Sequence, residues 1–435
     1  KGYRPGDLVG KIGLEKVLES YLKGIDGGQQ VEVTASGKPI KVLGQKEPTS
    51  GHSVNLTIDA KLQQIAENKL REQLLKLQTD KYKPFPNAKR GAVVALDVKT
   101  GEVLAMASIP DFDPNMFARG ITRKEWEEIS QNPLNPMVNL AIGGTFPPGS
   151  VYKMVTATAA LEEKITTESE YVRCHGVYWT ILPKKDWKPG GHGIVNMEKA
   201  IAESCNIYFY EMGRRLGIDN IEKYTKMYGL GSITGVELPG EKAGIVASRE
   251  YKKNTFSKAQ DRIWYPAETL DVAIGQGYNS FTPIQIANYI AAIANEGTWM
   301  KPHLIKSIAD ADGNIILEKN PEIGGQLDIS RKTYEVVKKG MRGVTLPGGT
   351  AYSVFAGFPI SVAGKTGTAE WDVSKDPHGW FVAFAPYEDP EIAVAVFIEQ
   401  AGSGGVTGGP VAKAIFEEYF HLNETDNYED YLTQP

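Results

Sequence analysis

The strand-like runs of this chain sit at its two ends with helical patterns between them, and that split constrains the fold more than any other feature. Ala92–Leu96 and Val103–Ala107 are apolar runs separated by turn chemistry at Lys99-Thr100-Gly101, so they read as a β-hairpin. Ile360–Ala363, Trp380–Ala385 and Ile392–Ile398 follow near the far end, with Pro386 and Pro390 marking the turn before the last. Five strands divided in this way predict one sheet. Helical spacing is seen at Val151–Glu163, Met197–Leu216, Ile284–Asn295 and Arg331–Lys339, and Pro410 can open a last helix through Phe420, since proline suits a first helical turn. An earlier helix starts at the N-cap candidate Asp59 and carries Leu62, Ile65, Ala66, Leu70 and Leu74 on one stripe. The fold class is therefore α+β (mixed α/β), with a helical middle inserted into a sheet built from both ends.

A chain of 435 residues holds two or three domains by length alone. The stretch from Gly6 to His52 is rich in glycine and charge, with one short helical pattern at Leu14, Val17, Leu18, Tyr21 and Leu22. It reads as part of an accessory domain, residues 1–55, ahead of a main domain at 56–422 and a polar, acidic, frayed tail at 423–435. A hydrophobic fraction of 41% supplies a sizeable core. The net charge of −5, with Lys and Arg dispersed, argues against nucleic acid or an anionic membrane surface as partner. No apolar run is long enough to span a bilayer and no signal peptide opens the chain. The first residues, Lys1-Gly2-Tyr3-Arg4-Pro5, lack an initiator Met and read as the start of a fragment. Two cysteines, Cys174 and Cys205, are too few for a disulfide scaffold but enough for one bridge or one metal site.

Three short motifs carry the chemistry. Phe146-Pro147-Pro148-Gly149 is a stiff turn ending at Ser150, which is expected at a helix N-terminus with Lys153 three residues on and on the same face. A serine hydroxyl needs a neighbour to take its proton, and a desolvated lysine can do so. A helix cap beside a solvated lysine explains that pair equally well. Ser204-Cys205-Asn206 lies inside an apolar helical stretch, where polar residues need partners. Lys365-Thr366-Gly367-Thr368 follows a strand-like run, and Gly367 removes a side chain that would keep a substrate backbone from the strand. Hydrogen-bonded core residues and an edge bulge are the plain explanations of these two. None of the six histidines forms a recognisable triad with Ser150.

S-x-x-K, S-x-N and K-T-G in this order, about 50 and then about 160 residues apart, are far more specific together than singly. With Gly91–Ser108, Ile274-Gly275-Gln276-Gly277, Thr282-Pro283 and Gly364–Glu370, the chain resembles the class B penicillin-binding proteins over nearly its whole length. The resemblance implies a five-stranded, mainly antiparallel sheet flanked by helices, and makes residues 56–422 the transpeptidase domain and 1–55 part of the pedestal. It implies that Ser150 attacks a D-Ala-D-Ala carbonyl, Lys153 accepts its proton, and Ser204 relays a proton to the departing D-alanine. Asn206 would hold the substrate peptide and the Lys153 ammonium, and Lys365 would supply positive potential. Thr366 and Thr368 would bind the terminal carboxylate, with the backbone N–H groups of Ser150 and Thr368 as oxyanion hole. Catalysis would need no cofactor. The implied partners are peptidoglycan stem peptides, β-lactam antibiotics and a membrane glycan polymerase. The implied location is the bacterial cell membrane, with an anchor that this chain lacks and an extracytoplasmic catalytic domain.

Cys174, Asp186, His192 and Cys205 form a candidate metal set, two thiolates, an imidazole and a carboxylate suiting tetrahedral zinc. Such an ion would brace the second motif from behind and be structural. A Cys174–Cys205 disulfide and two reduced core cysteines are alternatives, and His175 could replace His192. The resemblance is closest to the elongation-type members, which have a zinc site of this layout in some bacteria. A serine β-lactamase would need a deacylating base, and none is identifiable; Glu237-Leu238-Pro239-Gly240-Glu241 looks instead like a penicillin-binding-protein turn. A D,D-carboxypeptidase shares the first chemical step, and a non-catalytic β-lactam sensor shares S-x-x-K.

Overall fold

In the computed structural model both groups of strand-like runs meet in one sheet; the described residues are 3 and 6–422, so the predicted frayed tail lies outside them. Strands β1 (Gly91–Asp97) and β2 (Val103–Ile109) form the expected hairpin. β3 (Ala363–Ala369), β4 (His378–Ala385) and β5 (Ile392–Ile398) complete the order β3-β4-β5-β1-β2, every neighbour antiparallel. Val396 lies opposite Val93, so the last strand joins the first hairpin directly. β4 and β5 are buried along their whole length. Helices cover both faces, which is why these runs are continuously apolar instead of alternating.

The two faces have separate cores. On one, Val93, Ala95, Phe381 and Ala383 pack with α1 (Ala60–Thr79), which begins where the Asp59 carboxylate accepts the Leu62 N–H at 2.9 Å. On the other, Val94, Leu96, Val382 and Phe384 pack with α2 (Lys153–Glu162), α3 (Met197–Ala202), α4 (Asn206–Met227), α5 (Pro266–Ala273) and α6 (Pro283–Ala294). α6 is buried all round, and Ile284, Ile286, Ile290 and Ile293 contribute roughly 1.5–3 kcal/mol each. α7 (Arg331–Gly343) packs against α3, and α8 (Gly409–Tyr419) returns to α1 on the first face.

Two expectations are corrected. Of the run expected as a strand at 360–363 only Ala363 belongs to β3, and Lys365–Thr368 lie within the strand itself. Its glycines and threonines lack a strand's usual bulk, but pairing with β4 along seven residues fixes them there. The helix expected across 197–216 is broken at residues 203–205, because Ser204 adopts φ +59°, which a right-handed helix cannot contain. A second break follows at Gly217, with φ +73° inside α4.

At the N-terminal end, strands Gly28–Val33 and Pro39–Lys46 form an exposed hairpin. Ser53–Leu56 joins Ile305–Ala309 and Ile315–Glu318 in a three-stranded sheet over a small core of Leu18, Ile305 and Ile308. No helix among the described residues is long and apolar enough to cross a membrane.

Candidate active site

The nucleophile turn is tied down from three directions. Phe146 and Phe281 exchange backbone hydrogen bonds at 2.9 Å, the Trp380 indole donates to the Pro147 carbonyl at 2.9 Å, and Gly149 N–H donates to Gly275 O at 2.9 Å. Gly149 is left-handed, with φ +54°, and a Cβ there would lie 2.6 Å from the Thr368 carbonyl oxygen. No larger residue fits. Ser150 then falls, as expected, at a helix N-terminus, within a 3-10 turn, Gly149–Tyr152, that runs into α2 at Lys153. Ser150 is half-buried and Lys153 fully buried.

The break between α3 and α4 presents Ser204 to two lysines. Lys153 Nζ donates to Ser204 O at 2.8 Å, to Ser204 Oγ at 3.2 Å and to Asn206 Oδ1 at 2.6 Å. Lys365 Nζ reaches the same hydroxyl at 2.8 Å and the Thr366 carbonyl at 2.9 Å. Burial pushes Lys153 down to about 8. Burial, then repulsion from Lys153, pushes Lys365 well below the usual ammonium range. Positive potential at this hydroxyl therefore belongs to the pair as a unit, not to a standing charge on Lys365 alone.

Along β3, Lys365 and Gly367 face the helical layer, whereas Thr366 turns the other way and bonds the Thr350 hydroxyl at 2.8 Å. Thr368 is exposed at the open edge. Gly367 has a packing reason besides the one expected: a Cβ there would lie 2.8 Å from Trp380 Cβ and 2.9 Å from Val151 Cγ1. The missing side chain lets the nucleophile turn seat on the strand.

Behind Ser204, the four predicted metal residues converge, and their ligand atoms all lie within 4.8 Å of one another. Asp186 Oδ2 is 3.6 Å from Cys174 Sγ, 3.4 Å from Cys205 Sγ and 3.5 Å from His192 Nδ1, and Cys174 Sγ is 3.6 Å from His192 Nδ1. A tetrahedral ion at about 2.0–2.3 Å from each donor needs donors about 3.3–3.8 Å apart, so the set fits one. Both cysteines are free, and His192, not His175, joins them. Asp186 also accepts the Asn206 and Ile207 N–H groups at 3.0 and 3.3 Å, capping α4 in place of an intrahelical partner. The hydrogen bond from Cys205 is the main cause that draws Cys174 down to about 5, and the Cys205 thiol is pushed up in return.

Three contacting residues were not singled out by spacing. Trp187 donates its indole N–H to the Glu203 and Ser204 carbonyls at 3.2 and 3.1 Å. Thr350 holds Thr366, and Gln276 lies against the backbone of Thr368 and Glu370. Gln276 had a sequence signal in the phrase Ile274-Gly275-Gln276-Gly277, and Trp187 one in Asp186-Trp187 ahead of Gly191-His192-Gly193, though neither was given a role.

A sheet covered by helices on both faces, with S-x-x-K, S-x-N and K-T-G converging on one hydroxyl, defines a penicillin-binding transpeptidase domain. Residues 91–421 match the family model described as the penicillin binding protein transpeptidase domain, and residues 1–56 match the penicillin-binding protein dimerisation domain. The chain belongs to this family. It is 34% identical to peptidoglycan D,D-transpeptidase MrdA of Escherichia coli over 96% of its own length and spans 66% of that relative. It superposes with a TM-score of 0.80 on Pseudomonas aeruginosa PBP2 in complex with WCK 5153, at 34% identity, covering 98% of this chain and 85% of that one. A chain from a structure on coordination of polymerization and crosslinking by a peptidoglycan synthase complex aligns with a TM-score of 0.85 and 34% identity, covering 98% and 72%.

Proposed function

We propose that the chain is a serine D,D-transpeptidase that cross-links peptidoglycan stem peptides through an acyl-enzyme on Ser150 and is acylated there by β-lactams. The observation that carries this reading is the convergence of Lys153 and Lys365 on Ser204 Oγ, at 3.2 and 2.8 Å, beside the constrained Ser150 turn. With a value near 8, Lys153 is neutral in roughly one molecule in ten at pH 7, against one in several thousand for an exposed lysine. That neutral amine takes the proton as Ser150 Oγ bonds to the D-Ala-D-Ala carbonyl carbon. The tetrahedral oxyanion is held by the backbone N–H groups of Ser150 and Thr368. The C–N bond then breaks, and a proton passes through the Ser204 hydroxyl to the departing D-alanine amine. An amine of a second stem peptide attacks the acyl-enzyme and releases Ser150. Asn206 holds the donor peptide while accepting from Lys153, and Thr366 and Thr368 hold the terminal carboxylate.

Cys174, Asp186, His192 and Cys205 hold a structural zinc ion, supported by the donor chemistry and spacing. Zinc bound there would cross-link the segments behind the second motif and take no part in the acyl transfer. Residues 1–55 belong to the accessory domain and 56–422 to the transpeptidase domain. The whole protein works at the bacterial cell membrane, with this chain outside the cytoplasm and a membrane glycan polymerase as partner. The supports are the MrdA relative and the peptidoglycan synthase complex.

Labelling the purified chain with a fluorescent penicillin, beside a Ser150→Ala variant, tests the acyl-enzyme; equal labelling of both contradicts it. Cross-linking of polymerised lipid II tests the acceptor, and release of D-alanine without cross-links would mark a carboxypeptidase. Elemental analysis finding no metal removes the zinc.

A further inference from the structure

Among the described non-glycine residues with positive φ, Ser204 alone is buried, 6% exposed. A left-handed serine persists only where its surroundings over-determine it. Its carbonyl accepts Lys153 Nζ at 2.8 Å and the Trp187 indole N–H at 3.1 Å. The lysine bond depends on protonation and changes during the proposed reaction. The indole bond does not, because that N–H never titrates in water. Trp187 is also held from behind: the neighbouring Asp186 accepts the Asn206 and Ile207 N–H groups, and the indole meets the His192 ring edge-on at 5.5 Å. The residue is 55% exposed, so it contributes little to the core.

We propose that Trp187 is a positioning residue of the transpeptidase centre: its indole N–H, shared between the Glu203 and Ser204 carbonyls, fixes the left-handed peptide that aims the Ser204 hydroxyl at both lysines. This rests on the Ser150 acyl-enzyme reading. Alignment of that hydroxyl matters when the proton moves, so the contribution falls on the acylation step and not on initial binding. A tryptophan that merely walled the cleft would do the reverse, since its ring would hold the substrate side chain in the first complex.

Stopped-flow acylation by a fluorescent penicillin separates the two, because it gives the dissociation constant of the first complex and the acylation rate constant independently. Trp187→Phe keeps a ring and loses the N–H; Trp187→Ala loses both. Both variants are expected to lower the acylation rate constant by the same factor, roughly tenfold for one hydrogen bond, with the dissociation constant within about twofold and Tm unchanged. Lys188→Ala, on the same loop and paired with Glu203, is expected to match the parent. A Trp187→Phe variant as fast as the parent overturns the proposal, as does a loss carried by the dissociation constant or one that tracks a fall in Tm. Labelling that survives in Ser150→Ala counts instead against the acyl-enzyme reading beneath it.

Discussion

The lysine cluster in front of Ser204 and the cysteine cluster behind it are buried in the same apolar core, yet they handle their charge in different ways. In front, two cationic side chains share one hydroxyl, and desolvation drives both toward the neutral form. Behind, two sulfurs, a carboxylate and an imidazole face one another as a closed donor set. The left-handed Ser204 between them costs about 1–3 kcal/mol of backbone strain. The comparison teaches that reactivity and stability are held on opposite sides of three residues. In front, two lysines crowd one hydroxyl and are pushed toward the neutral form; behind, Asp186 accepts the Asn206 and Ile207 N–H groups and so holds the break between α3 and α4 in place.

Replacing the front base breaks the comparison most sharply. Lys153→Met is expected to lower penicillin acylation by about 10²–10⁴, the range for a general base, while leaving Tm unchanged or higher, since a buried cation gives way to an apolar chain. A large fall in Tm would mean the front cluster is structural after all. Removal of zinc by a chelator, or His192→Ala, should act in the opposite order: Tm falls by roughly 5–10 °C, and acylation by about 10–100-fold. Unchanged melting with chelator would leave the rear cluster without a metal.

The pH profile sharpens the front half alone. With neutral Lys153 as the proposed base and its pKa pushed down to about 8, acylation should fall about tenfold per pH unit below 8 and level off above it. A rate that fell on raising pH through 8 would require the protonated lysine instead. The smallest effect is expected at the sheet. Gly367→Ala puts a methyl group against Trp380 and Val151 and should cost about 1–3 kcal/mol in denaturant unfolding, with the nucleophile turn displaced.

Much of this arrangement was legible in the chain because it depends on local chemistry. Continuous apolar runs gave β1, β4 and β5, and the stripe after Asp59 gave α1. The four donors of the rear cluster were nameable from their side-chain chemistry and the family resemblance, although their spacing is irregular. β3 was displaced because Lys365-Thr366-Gly367-Thr368 has no apolar pattern to announce a strand, and its pairing comes from β4. The break at Ser204 was hidden because Ile201, Ile207 and Met212 keep helical spacing across it. Periodicity records which side chains are buried, not the sign of φ between them. Trp187 stood in the phrase Asp186-Trp187, but its bond to a backbone carbonyl, like the bond of Thr350 to another hydroxyl, is to a partner distant in sequence and leaves no pattern.

The central claim, that Ser150 is the acyl-accepting nucleophile, is met most directly by mass mapping after reaction with benzylpenicillin. The account predicts one adduct of the full mass of the drug, on the proteolytic fragment containing Ser150, and none in Ser150→Ala. An adduct on any other serine, or one that persists in Ser150→Ala, would contradict it.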